Sequence, residues 1–452
     1  MDLFQQYVNA NRDRFVAELQ ALCRQPSVAA QNWGMKETAE LVLARLQKLG
    51  AQARLIPVAG GAPVVYGEIG SGARTLMFYN HYDVQPPEPL DLWESGPWEA
   101  AIRDGKLFAR GVSDNKGNLM CRIQAVEAYL AAYGSLPLKI KFVFEGEEEI
   151  GSIHLPQFAQ ENRALLQDVD GCLWEAGYKD VNDRPNVSCG VKGIVYVELH
   201  ARGAKRDLHS AMAATVVNPA WRLTWALATL KDANDTILID DYQQHVRPPT
   251  QAEMDALAAI PYDEAKVKTD LGIPAFLRNL TGIELLKKYL YEPTCTICGL
   301  YAGYIGEGSK TVLPNHAFAK IDFRLVPNLS PDLVLDLLKK HLARRGFDDI
   351  EVILTETGEE VARSPLDSAI VRAAVDAATA VYPTPPVLYP TMAGSGPMYP
   401  LCQALGIPAV GAGVGWHDSR NHAPNENIRL ADYFEGLEFI RELIARFSRL
   451  AN

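Results

Sequence analysis

The sequence predicts an α/β protein, a mixed sheet covered by helices on both faces, with a second α+β unit inserted into it. Three observations carry that prediction. Apolar runs of strand length at 64–69, 75–79, 138–144 and 171–174 alternate with helical stretches, the rhythm of a parallel or mixed sheet. Near Lys192 the rhythm changes to IVYVELHARG, whose alternation belongs to an antiparallel strand with one exposed face. After Ser364 the first rhythm resumes. The expected division is a catalytic domain formed by 1–191 and 358–452, with an inserted lid over 192–357.

Along the chain, Leu3, Tyr7, Phe15, Leu19 and Leu22 recur at helical spacing, and the N-terminus lacks the basic start and continuous apolar core of a secretory leader. A second amphipathic helix is expected over 36–49, closed by Gly50 in a left-handed conformation. Strands at 64–69 and 75–79 follow, then a helix after Lys116 that passes Ala125 and Tyr129 and feeds the strand at 138–144. Within the insert, a strand over 194–203 precedes a helix over 219–231 and a long polar, helical stretch to about Tyr291. Strands at 317–325 and 350–355 bracket a helix over 331–345, and helices over 367–381 and 430–450 complete the chain.

Composition narrows the function. With 452 residues, 48% of them hydrophobic and 22% charged, the chain has room for two or three globular domains. A net charge of −11 argues against a nucleic-acid partner, which needs a clustered basic face. No apolar run approaches the roughly 18 residues of a membrane span. Seven scattered cysteines, odd in number, fit reduced thiols in a cytoplasmic protein. Cys295 and Cys298 form a CxxC without a second pair, and are expected to be two small core thiols.

The chemistry gathers where apolar strands end. FVFEGEEEIGS places four carboxylates, Glu145, Glu147, Glu148 and Glu149, within five residues of a strand end. Like charges so close need either water or cations. Other polar islands follow the same logic: Asn80-His81-Tyr82-Asp83, Ser113-Asp114-Asn115-Lys116, Glu175 after Trp174, and the stretch from His417 to Glu426. Ligands of α/β sheets bind beyond the carboxyl ends of the strands, so these islands can share one crevice. Taken singly, His81 would be an ordinary core histidine, Asp114 a helix cap and the glutamates a solvated turn. Together, imidazole and carboxylate without thiolate suit zinc, manganese or cobalt, and the surplus of carboxylates suits two ions.

His81-Tyr82-Asp83, Arg110 to Gly117, Glu148-Glu149-Ile150-Gly151-Ser152 and His422-Ala423-Pro424-Asn425-Glu426 resemble, in order, the motifs of the dinuclear zinc exopeptidases and deacylases. That family includes carnosinase-like dipeptidases, carboxypeptidase G, acetylornithine deacetylase and succinyl-diaminopimelate desuccinylase. The resemblance implies a mixed-sheet zinc-exopeptidase domain with an α+β lid that also dimerises. It implies two divalent ions, zinc first, with His81 and Glu175 on one, Glu149 and His422 on the other, and Asp114 between them. Asp83 would orient His81, and Glu148 would be the general base acting on a metal-bridging water. The Asp114–Asn115 peptide would be cis.

Asp207-Leu208-His209-Ser210 and Phe323 to Asn328 are most similar to the carnosinase-like branch. There His209 would reach a neighbouring subunit's site to bind the oxyanion, and Arg324 would hold the substrate's C-terminal carboxylate beside Gly394 and Ser395. Glu175 stands where several dipeptidases of the family carry aspartate; its side chain is one methylene longer, a reach that some deacylases of the family also use. The expected activity is hydrolysis of dipeptides or short peptides with a free C-terminal carboxylate. The alternatives are an N-acyl-amino-acid deacylase with the same site and a catalytically silent metal-containing binding protein.

Overall fold

The computed structural model describes residues 2–355 and 358–450. The chain first lays down strands β1 (Gln52–Ile56), β2 (Val64–Ile69), β3 (Thr75–His81), β4 (Lys139–Glu145), β5 (Gly171–Trp174) and β6 (Asn186–Ser188). It then forms β7 (Gly193–Arg202), β8 (Thr296–Ala302), β9 (His316–Leu325) and β10 (Glu351–Leu354), and returns with β11 (Val387–Tyr389) and β12 (Ala409–Gly411). The first sheet has eight strands in the order β1-β2-β4-β3-β5-β12-β6-β11. Its centre is parallel, with β3 between β4 and β5 and β12 beside β5. The β1–β2, β2–β4 and β12–β6 pairs are antiparallel. The sheet is mixed, as expected.

Alternation along the strands divides the core between two faces. Phe78, Phe142 and Phe144 pack against the helices Gly117–Tyr133, Ala369–Val381 and Leu430–Phe447 through Leu119, Ile123, Ala374 and Leu437. Met77, Tyr79 and Val143 point the other way, onto Leu155, Phe158 and Leu401. All seven residues of β3 are buried, which explains its apolar run and leaves its polar end, Asn80-His81, inside the protein.

The second sheet, β8-β9-β7-β10, is wholly antiparallel. Val195, Val197, Leu199 and Ala201 of β7 are buried against the helices Pro219–Ala228 and Pro331–Arg344, while Tyr196, Glu198 and His200 occupy the opposite, half-buried face. The far end of the expected insert, residue 357, lies outside the described residues.

Several expectations need correction. The N-terminal helix is two, Leu3–Ala10 and Arg12–Arg24, with Asn11 between them departing from helical angles. The long polar stretch resolves into the helices Gln251–Ala258, Glu264–Leu271 and Gly282–Tyr291. Cys295 is buried, but Cys298 is exposed, because it sits in the edge strand β8 where the pairing register slips between Ile297 and Gly299. All seven cysteines are free. No helix among the described residues is long and apolar enough to cross a membrane.

Candidate metal centre

β3, β4 and β5 run parallel, so their carboxyl ends lie side by side, with His81 opposite Glu145. His81 is fully buried. Its Nδ1 faces Asp83, 3.1 Å from the backbone carbonyl oxygen and 3.3 Å from Oδ1. Its Nε2 lies 3.1 Å from Asp114 Oδ1, 3.7 Å from Glu175 Oε1 and 3.9 Å from Glu148 Oε2. Asp114 Oδ2 lies 3.2 Å from His422 Nε2, which is 3.1 Å from Glu149 Oε2. Asp114 therefore stands between two imidazoles. The donor atoms of His81, Asp114 and Glu149 fall within 4.8 Å of one another, as do those of His81, Glu148 and Glu175.

Local structure explains why these side chains face inward. The Asp83 carboxylate accepts the backbone N–H groups of Glu148 and Glu149 at 3.2 and 2.9 Å, so one residue both flanks the His81 ring and pins the acidic loop. Glu147 turns away, paired with His154 Nδ1 at 2.8 Å and accepting the Ala62 N–H at 3.2 Å. Glu145 is buried beneath, bonded to the Tyr79 and Ser152 hydroxyls, and burial pushes its carboxyl up to about 8. The Trp174 indole N–H donates to Glu175 Oε2 at 3.1 Å, and its ring stacks on Tyr79 with centroids 3.7 Å apart. The Asp114–Asn115 peptide is cis.

Does this cluster fit a cation? Among the described residues no lysine or arginine forms an ion pair with Asp114, Glu148, Glu149 or Glu175. Proton affinity rises instead at four of the groups. Burial, then Glu175, raises Glu148 well above the carboxylate range, and burial raises Glu149. Burial alone would depress His81, but Asp114 and Asp83 outweigh it and hold its pKa well above the ordinary value. Asp114 and Glu149 push His422 up to about 10. Divalent ions binding such a set would displace those protons. Mixed imidazole and carboxylate donors without sulfur fit zinc, manganese or cobalt.

The other expected site residues divide. Arg324 and Ser395 meet, Nη1 to Oγ at 2.9 Å, while Asp322 lies 3.4 Å from the Arg324 Nε. Gly394 uses its carbonyl to accept the Lys192 N–H at 2.9 Å. His209 is exposed, bridges Val312 and accepts the Ala211 N–H at 3.1 Å, and among the described residues it forms no ion pair with the cluster of its own chain. A cavity of about 510 Å³ opens beside the cluster, lined by Ser113, Ala176, Tyr178, Met392, Trp416 and Asn421.

Three further residues shape the site without having been singled out in the sequence. Arg122, a lone cation in an apolar helix, donates to the carbonyls of Tyr79, Leu173, Trp174 and Glu175 at the strand ends. Gln85 donates to Glu149 Oε2 at 2.9 Å. Glu426, the last residue of the His422 motif, accepts from Arg110 and from the Asp114 N–H. Of these only Arg122 carries a sequence signal, a buried-side charge between Leu119 and Ile123.

Overlapping imidazole and carboxylate donor sets at the open end of a mixed sheet are the donors of a metal-dependent enzyme. Residues 77–446 match the family model described as Peptidase family M20/M25/M40. The chain belongs to that family and is a metallopeptidase. It is 38% identical, with a TM-score of 0.89, to the M20 family metallo-carboxypeptidase Sso-CP2 from Sulfolobus solfataricus, covering 96% of this chain and 99% of that one. It is 27% identical to the Homo sapiens Beta-Ala-His dipeptidase over 98% of this chain and 92% of that protein. A Cys-Gly metallodipeptidase of Schizosaccharomyces pombe is 28% identical over 76% of each chain. The structure of human carnosine dipeptidase 1 superposes with a TM-score of 0.78 at 27% identity, covering 100% of both chains.

Proposed function

We propose that this metallopeptidase hydrolyses the amide bond of dipeptides or short peptides that carry a free C-terminal carboxylate. The observation that carries the reading is Asp114 between two imidazoles, with Glu148 and Glu149 entering from one loop on different sides. The relatives support the same substrate class. One is named a carboxypeptidase and others dipeptidases, so the names agree on peptides and do not favour the deacylase alternative.

Two ions would be held by His81 and Glu175, by Glu149 and His422, and by Asp114 jointly, with zinc as the first choice and manganese or cobalt as substitutes. Bound dications supply polarisation of the scissile carbonyl and make water a stronger acid. Asp83 keeps the His81 lone pair aimed at the centre. Glu148 takes the proton of the attacking water and returns it to the leaving amine nitrogen. Arg324, with Ser395 and the Gly394 backbone beside it, receives the terminal carboxylate through paired charge-assisted hydrogen bonds.

We assign 1–191 and 358–452 to a catalytic domain and 192–357 to a lid. His209 would act on a neighbouring subunit in a homodimer. What supports a dimer through the lid is its exposed apolar surface: Trp221 and Trp225 stack on the outer face of one helix, 57% and 55% exposed, next to Val217. Free thiols throughout support a cytoplasmic setting.

The test is hydrolysis of free dipeptides, N-blocked dipeptides and N-acyl amino acids by apo-protein reloaded with zinc, manganese or cobalt. Glu148→Gln should keep metal yet lose roughly 10²–10⁴-fold in turnover, while Asp114→Ala should lose metal. Near wild-type turnover by Glu148→Gln would remove Glu148 as the base. Cleavage of acyl amino acids alone would restore the deacylase.

A further inference from the structure

Four residues beyond His422 lies a carboxylate that no step of the proposed reaction uses. Glu426 is fully buried, and its two oxygens collect four donors. Oε2 accepts from Arg110 Nη1 at 2.7 Å and from the Gly111 N–H at 2.8 Å. Oε1 accepts from the N–H groups of Ser113 at 2.9 Å and Asp114 at 3.0 Å. Its own carbonyl accepts the Ala109 N–H at 3.1 Å. A buried carboxylate is costly unless it is paired and hydrogen-bonded, and this one is satisfied entirely by the loop that carries Asp114.

We propose that Glu426 is a positioning residue for the metal centre, setting where Asp114 stands relative to His422. The inference rests on the reading of Asp114 as the shared ligand. The geometry gives Glu426 that role because it joins two segments far apart in sequence. One side is the 110–114 loop, where Gly111 has φ +82° and a Cβ there would lie 2.2 Å from Val84 Cγ1, so the loop is pressed against the segment following His81. The other is the segment from His422 to Glu426, anchored by Asn425, whose side chain accepts the Glu94 N–H and donates to the Leu92 carbonyl, each at 2.9 Å. His422 itself is half exposed, and the only other bond joining its neighbours to Asp114 is Asn421 Nδ2 to Oδ2 at 3.2 Å among the described residues. The Asp114–His422 spacing of 3.2 Å is thus held from behind by Glu426.

Glu426→Gln preserves shape but turns an NH₂ group toward N–H donors. Loss of such an outer partner lowers metal affinity by about 10–100-fold. The experiment strips the full-length enzyme of metal and measures cobalt and zinc affinity by chelator competition for wild type, Glu426→Gln, Glu426→Asp, Asp114→Ala and Leu443→Ala, a buried packing control in the last helix. Glu426→Gln should bind more weakly by about 10–100-fold with KM for a dipeptide little changed, and excess metal should restore much of kcat. Leu443→Ala should lose thermal stability and bind metal like wild type. If Glu426→Gln does not fold, Glu426→Asp decides, with an intermediate loss expected because it retains the charge one methylene short. Wild-type affinity in the folded glutamine or aspartate variant would overturn the proposal. Wild-type affinity in Asp114→Ala would overturn the ligand assignment, and this inference with it.

Discussion

The proposed role of Arg324, reading the substrate's carboxyl terminus, is the one that would set such a peptidase apart from a hydrolase that ignores that group. A guanidinium holds a carboxylate through two parallel bonds, and removing one partner of such a pair costs on the order of 2–5 kcal/mol. Arg324→Ala should therefore cut kcat/KM for a free dipeptide by about 30-fold or more. The corresponding dipeptide amide, already a poor substrate, should lose far less. Equal losses on acid and amide would assign Arg324 to the support of the fold. Lys192 tests a different kind of charge. It is buried, its ammonium donating to the carbonyls of Tyr289 and Glu292, and burial followed by Arg363 and Arg324 pulls its pKa down to about 7. An unfolded lysine keeps its proton to about pH 10, so between these values the unfolded chain binds more protons and stability rises with pH. Thermal unfolding should find wild type gaining on Lys192→Met from about pH 7 to about pH 9. A pH-independent difference would mean that the ammonium keeps its proton in the fold.

At the scale of elements, the strand ends are held by one helix. Arg122 feeds the carbonyls of β3, β5 and the Glu175 peptide, and Arg122→Leu would leave several buried acceptors unpaired at about 1–3 kcal/mol each. Urea denaturation should register a loss of at least about 3 kcal/mol. Much of this framework could be read from the sequence. β2 and β5 fall where their apolar runs end, and the islands at His81, Glu149 and Glu175 converge because parallel strands put their carboxyl ends together, while Asp114 arrives on the loop before the helix Gly117–Tyr133. What escaped reading depends on partners distant in sequence. β6, β11 and β12 have three residues each, too few to show a period, and exist through the sheet they join. β8 hides its strand character because it is exposed on both faces at an edge. Nothing local separates Glu147 from Glu148; its outward turn is set by His154 and Ala62.

For the whole molecule, metal and assembly supply the remaining tests. Ions that bind the folded chain alone stabilise it by about 2.7 kcal/mol at 100 times Kd, so chelation should lower Tm and re-addition restore it. An unchanged Tm would mean that the cluster holds no ion tightly. If His209 serves a neighbouring subunit, mixing inactive Glu148→Gln with inactive His209→Ala should recover part of the activity, because some sites in the mixed dimer receive both intact groups. Mixtures that stay inactive after confirmed subunit exchange would count against action between subunits. The position of β12 between β5 and β6 carries a consequence for how the chain is made. All strands of the second sheet lie within 193–354, so a ribosome that has released them holds everything that sheet requires. The first sheet waits for residues 409–411, and the cluster waits for His422, the last of its side chains to be made. Nascent chains stalled before β12 should therefore carry a finished second sheet on an open, chaperone-dependent first one, with the cluster still incomplete.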